Sequence, residues 1–216
     1  MATRPVYAPD NRPPFLKVYM PEFTWNGGFA ASQKQKNIVA LHEAYHRRVP
    51  EGKVLEISSK SLQEVGIKLS AFHLKKYVPE LKTSIPVECV FQGGKTFHSG
   101  GPYTDIYGMS PREAKKDPRL KSSGMLKCFF FDGKEIPISP KTIFYDWIYI
   151  NALLENPSLA NEVIGYDAFT DIEFNPEKSV NCQAKAAALY VALFRQGVLE
   201  QCVDFDAFYR IVQGKN

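Results

Sequence analysis

No stretch of the 216 residues approaches the ~18 consecutive apolar residues that a membrane span requires. The opening Met1-Ala2-Thr3-Arg4-Pro5 lacks the apolar core of a secretory signal, so a cytoplasmic location is expected. Cysteine is sparse. Cys89, Cys128, Cys182 and Cys202 are scattered without a Cys-x-x-Cys pair, which argues against a zinc site or a disulfide framework. Buried free thiols are the expectation. Histidine offers no ligand set either. Of His42, His46, His73 and His98, only His42 and His46 are spaced i, i+4, and without a third ligand that pair reads as exposed helix surface. No metal and no cofactor is expected. The net charge of +4 permits a polyanionic partner without demanding one. Internal repeats, low-complexity tracts and a βαβ alternation are all missing.

What is present suits a single domain with a sizeable core: 44% of the residues are hydrophobic and 13% aromatic. Residues 1–24 are proline-rich and read as an N-terminal arm or strand packed on a body formed by 25–216. Ser32 to Arg48 reads as a helix with Ser32 as N-cap and Ile38, Leu41 and Tyr45 as its apolar stripe. Val54–Ser58 reads as a strand. Asp132-Gly133 between Leu126–Phe131 and Lys134–Ile138 signals a hairpin, because that dipeptide accepts the positive φ values of a tight turn. Phe144–Leu154 reads as a helix, and Asn156-Pro157 restarts another. Ala184–Arg195 is apolar nearly all round and is expected to be a buried central helix, stopped at Gly197, with Phe205–Val212 closing the chain. The expectation is a helix-rich α+β domain with a few short strands.

Glu88, Phe91, Gln92 and Lys95 are spaced i, i+3, i+4, i+7. On a helix they form one stripe carrying an acid, a ring, an amide and an ammonium, which suits a pocket wall better than a core face. Ile85 to Val90 also alternates like a strand, and Gly93-Gly94 would cost a helix about 2 kcal/mol, so the local pattern leans to strand. A glycine pair in a helix implies close approach of a backbone or a ligand.

Other segments carry chemistry beside plainer readings. Gly27-Gly28 leads into a helix whose first turns hold Gln33, Lys34 and Lys36, where cations suit a bound anion or a merely solvated face. Ser58-Ser59-Lys60 follows a strand. Such a turn can hold phosphate or ribose hydroxyls, and a desolvated lysine there can act as a nucleophile, though a surface turn is commoner. Asp171 and Glu173 share one face if their segment is extended, and paired carboxylates suit acid–base or oxocarbenium chemistry. Asn181 could cap the central helix and do nothing more. The aromatic run Phe144-Tyr145-Asp146-Trp147-Ile148-Tyr149 could stack on a base, with core as the default. Arg112, Lys115, Lys116, Arg119 and Lys121 form a basic cluster, and Lys34, Lys36, Arg47 and Arg48 another.

Taken in order, these motifs resemble the NADAR superfamily of YbiA-like N-glycosidases. Ser70-Ala71-Phe72 is similar to its Ser-Asn-Phe element, with Ala71 in place of Asn. Glu88, Phe91, Gln92 and Lys95 match its Glu-His-x-Phe-Gln-Ala-x-Lys helix, with Cys89 and Gly93 in place of His and Ala. Ser110 to Lys115, Asp171 and Asn181 match later elements, while the family's Trp-Gly element is missing. The segments Ala31–Lys36, Leu55–Ser61, Gly101–Asp105 and Tyr145-Asp146-Trp147 resemble more closely the NADAR antitoxins encoded beside DarT-type DNA ADP-ribosyltransferase toxins. The resemblance implies a helix over the Glu88 stripe and an enzyme that removes ADP-ribose from guanine bases in DNA, releasing ADP-ribose and neutralising a partner toxin. It implies Glu88 as the carboxylate that stabilises the sugar cation or positions water, Asp171 as the second carboxylate, and Lys60 or Lys95 as a nucleophile or phosphate holder. Gln33, Lys34, Lys36, Ser58 and Ser59 are then candidates for the pyrophosphate and ribose. Phe72, Gln92 and Asn181 are further ligand-binding candidates, and Phe91 and Trp147 are candidates to stack on a base. The alternatives are an N-glycosidase of phosphorylated riboflavin-pathway intermediates and an antitoxin that binds ADP-ribose or DNA without cutting.

Overall fold

The structure is a computed structural model that describes residues 1–214. The chain begins with short strands β1 (Ala2–Thr3), β2 (Val6–Pro9), β3 (Leu16–Tyr19) and β4 (Glu22–Phe23), followed by helix α1 (Ala31–His46). Next come β5 (Val54–Glu56), α2 (Glu64–Lys68), the hairpin β6 (Lys75–Val78) and β7 (Thr83–Pro86), and α3 (Val87–Gly93). β8 (Lys95–Phe97), α4 (Pro111–Ala114), α5 (Arg119–Ser122), β9 (Leu126–Phe131) and β10 (Lys134–Ile136) precede α6 (Ile143–Leu154) and α7 (Pro157–Val163). The last elements are β11 (Ala168–Thr170), α8 (Gln183–Arg195) and α9 (Phe205–Val212). This is an α+β domain, and none of its described helices is long and apolar enough to cross a membrane.

The main sheet has the order β3-β2-β11-β5, antiparallel except for the parallel pair β11/β5. Residues 1–24 therefore supply two of its four strands, with Val6 and Tyr7 buried. A second sheet has the order β10-β9-β8. Its hairpin turns at Asp132 and Gly133, whose φ values of 50° and 72° satisfy the tight turn that Asp-Gly foreshadows.

Helices α6 and α8 pack against each other through the centre of the larger core. Ala184 and every residue from Ala186 to Leu193 in α8 are buried, and Gly197 terminates the helix with φ 69°. Phe194 departs from the expected all-round burial and is exposed. All four cysteines are buried and free.

Two caps differ from expectation. Ser32 lies inside the first turn of α1, whose N-cap is Ala30 with no side-chain bond. Asn181 does not cap α8, since Cys182 holds that position. His42 and His46 are not a solvated pair either: the His42 ring lies 2.8 Å from the Thr170 hydroxyl, and burial lowers its pKa to about 4.

Candidate active site

Helix α3 settles the ambiguous segment. It runs from Val87 to Gly93, and the backbone N–H groups that open it are satisfied by the preceding loop: Val87 N–H donates to Leu74 O and Glu88 N–H to Ala71 O, both at 2.9 Å. Tertiary contacts explain the glycines. A Cβ on Gly93 would lie 2.4 Å from the Tyr107 ring, and one on Gly94 2.8 Å from Phe130 O. Close approach is thus made by a side chain and a neighbouring strand's backbone. Cys89 points away from the stripe and donates to Met109 O.

The stripe itself lines a cavity of about 780 Å³. Glu88 is only 6% exposed, and its Oε1 accepts from Gln92 Nε2 at 2.8 Å. Gln92 Oε1 in turn accepts from Lys95 Nζ at 2.7 Å. Lys95 has left the helix and opens β8, so a helical stripe of three continues into a strand. Its ammonium lies over the Phe91 ring, 4.6 Å from the centroid. Burial lowers the Lys95 pKa to about 8 against the pull of Glu88 in the other direction.

The carboxyl ends of the parallel pair β5/β11 bring the second half of the cavity. Beyond β5 come Ser58, Ser59 and Lys60; beyond β11 comes Asp171, 8% exposed. Asp171 Oδ1 accepts from Glu173 N–H at 3.0 Å in a turn, so Asp171 and Glu173 do not continue the strand. Burial, and then the nearby Glu56, push the Asp171 carboxyl well above its ordinary range. Gln183 fastens these pieces together. Its Oε1 accepts from Ala71 N–H at 2.8 Å and its Nε2 donates to Ile57 O at 2.7 Å, tying α8 to the Ser70–Phe72 loop and to the Ser58–Lys60 loop.

Of the candidates from sequence, Glu88, Asp171, Lys60, Lys95, Ser58, Ser59, Phe72, Phe91, Gln92 and Asn181 all line this one cavity. Asn181 Oδ1 is buried there without a hydrogen-bond partner. Gln33, Lys34, Lys36 and Trp147 do not line it. Lys34 instead pairs with Glu173 at 3.1 Å, so the anion at the start of α1 is a side chain of this chain. Lys36 faces a shallow depression on the outer side of α1. Trp147 is a core residue: its Nε1 donates to Cys202 O at 3.1 Å and its ring packs edge-on against Phe131 and Phe205.

Residues that were not candidates also line the cavity. The Tyr145 ring packs edge-on against Phe91, and its phenol is held neutral by burial and then by the nearby Glu88. Phe29, fully exposed, stands at the rim after Gly28 with its φ of 117°. Arg112, Lys115 and Lys116 from α4 and the turn after it form a basic wall, with Lys115 over the Phe72 ring. The basic cluster in the sequence signalled this wall; the aromatic run signalled Tyr145 only as one ring among several, and nothing local separated it from Trp147. Arg119 of that cluster is spent on Asp105 and Asp117, each at 2.7 Å.

The family model described as the DarT1-associated NADAR antitoxin matches residues 2–216. The chain belongs to this family. A search of curated proteins finds no significant match. For this NADAR antitoxin, the family match spans both halves of the cavity, from the Ser58–Lys60 loop through α3 to Asp171 and Asn181.

Proposed function

We propose that this NADAR antitoxin is an ADP-ribosyl-guanine N-glycosidase that frees guanine bases in DNA of ADP-ribose and so counters a DarT-type toxin. The observation that carries the proposal is the meeting of two buried acids, Glu88 and Asp171, with the desolvated Lys95 amine in one cavity walled by Arg112, Lys115 and Lys116. Its volume falls within the roughly 300–1,000 Å³ of sites for ligands of this size. The scissile bond joins the anomeric carbon of the distal ribose to a guanine nitrogen, and its cleavage develops positive charge on the sugar. Glu88, oriented by Gln92, stabilises that charge. Lys95, with an amine partly neutral near pH 8, attacks the anomeric carbon. Tyr145 lies among these groups as a neutral hydrogen-bond donor to the sugar. Ser58, Ser59 and the basic wall hold the phosphates and the DNA backbone.

The test is direct. The protein is incubated with DNA carrying ADP-ribosylated guanine, and free ADP-ribose is measured. Release supports the enzyme. Tight binding without release identifies a binding antitoxin, and cleavage confined to phosphorylated riboflavin-pathway intermediates assigns the small-molecule branch. The basic wall favours the DNA substrate over that branch.

A further inference from the structure

Glu56 is a buried acid, 2% exposed, with no cation paired to it among the described residues. It stands at the end of β5, opposite Thr170 in the parallel pairing. Its two oxygens clasp the residues on either side of Asp171. Oε2 accepts from the Thr170 hydroxyl at 2.6 Å, and Oε1 accepts from Ile172 N–H at 2.9 Å. Thr170 has a second partner, His42 Nε2 at 2.8 Å. With Glu56 ionised, Thr170 donates to it, so His42 Nε2 carries the hydrogen and donates to Thr170. The chain from α1 through β11 to β5 then has every donor aimed at Glu56.

We propose that Glu56 is a positioning residue that fixes residues 170–172 and makes Asp171 the proton donor of the site. The proposal rests on the glycosidase reading. Two adjacent buried carboxyls cannot both ionise cheaply, so the pair shares one proton. Burial raises the Glu56 carboxyl as well, and Glu173 adds to that, but Thr170, Ile172 N–H and the Ser58 hydroxyl favour its charged form, and the net rise is smaller than that of Asp171. Asp171 has the Glu173 N–H and Gln183, against the charges of Glu56 and Glu173. The charge therefore settles on Glu56 and the proton on Asp171. The remaining groups around the pair are neutral or already paired. Tyr7, Tyr145, Tyr149 and Cys182 are all held protonated by burial, His42 is neutral, and Lys34 reaches Glu173.

As the bond from the anomeric carbon to the base nitrogen breaks, its electron pair stays on nitrogen, which takes the Asp171 proton. The nucleophile that adds to the anomeric carbon gives one proton back to the Asp171 carboxylate. Water then releases ADP-ribose, and the site returns to its starting state.

Glu56→Gln removes the charge and keeps the shape. Its amide oxygen can accept from Ile172 N–H and its NH₂ can donate to Thr170, which then donates to the other tautomer of His42. The Asp171 carboxyl carbon, assigned with Asp171→Asn, is titrated by ¹³C NMR in the intact wild-type chain and in Glu56→Gln. The expected result is a protonated Asp171 at pH 7 in the wild type and a midpoint lowered by at least one pH unit in the variant. The high-pH limb of kcat/KM on ADP-ribosylated DNA should fall to lower pH by the same amount. A purely structural Glu56 would instead reduce the rate by one factor at every pH, which overturns the proposal. An ionised Asp171 at pH 7 in the wild type overturns it too, and decides the matter even if Glu56→Gln does not fold. Failure of the glycosidase reading is recognisable separately, as no ADP-ribose released by the wild type at any pH while the NMR titration still reports the pair.

Discussion

Lys95 donates its ammonium to the amide oxygen of Gln92 at 2.7 Å, and this single bond links the nucleophile candidate to the carboxylate that Gln92 also holds. Because burial lowers the Lys95 pKa to about 8, its amine is neutral above that value. The rate should therefore rise with pH through about 8 and fall again as Asp171 loses its proton. Borohydride added during turnover should trap an ADP-ribose adduct on Lys95 and none on Lys60, read by peptide mass spectrometry. Turnover without an adduct assigns the attack to water. The stability sign follows from the same shift. The charged lysine is penalised in the fold, so stability should increase between about pH 8 and the unfolded lysine value of about 10.4. Lys95→Met should be more stable at pH 7, on the order of 1–2 kcal/mol, while losing activity.

Glu88→Gln keeps the contact with Gln92, since the paired amides can reorient, but removes the negative charge. ADP-ribose release should drop by about 10²–10⁴-fold with binding of the modified DNA retained. Full activity in this variant would remove Glu88 from the mechanism.

Arg112, Lys115 and Lys116 form a wall without acid partners among the described residues. Changing Lys115 and Lys116 together to alanine should weaken DNA binding and flatten the dependence of log Kd on log salt by up to about two units. An unchanged salt slope would place the DNA elsewhere.

Trp147→Phe tests the correction made by the fold. The indole N–H and Asn151 Nδ2 both donate to Cys202 O, deep in the core. The variant should lose about 1–3 kcal/mol in chemical denaturation and keep its affinity for ADP-ribose. A selective loss of affinity would restore Trp147 as a stacking residue.

Gly93→Ala would drive a methyl group into the Tyr107 ring. A loss of about 1–3 kcal/mol is expected although alanine is the better helix former. An unchanged denaturation midpoint would show that Tyr107 moves aside freely.

Local pattern carried much of the fold. The Asp-Gly hairpin, α6, α8 with its glycine stop and α9 were legible because turn chemistry and apolar periodicity are short-range properties. The Glu88 segment was not legible in this way. Its alternation suits a strand, and the helix is imposed by the partners its first N–H groups find in Ala71 and Leu74. Its spacing still put Glu88, Phe91 and Gln92 on one wall, as a helical stripe requires. Trp147, Lys34 and Lys36 looked as suitable as the rest, and only packing and pairing sent them elsewhere.

The sequence by itself determined the family, most helix and strand types, and the residues available for chemistry, because each depends on side-chain identity and near-neighbour spacing. Tertiary structure alone decided which of those residues meet and in what protonation state. The Thr170–Glu56 bond spans 114 positions, and it exists because β5 and β11 pair in parallel. Burial beside Glu56 then raises the carboxyl of Asp171, just as burial beside Phe91 lowers the amine of Lys95. Desolvation and proximity are properties of the folded surroundings, and no residue carries them in its name.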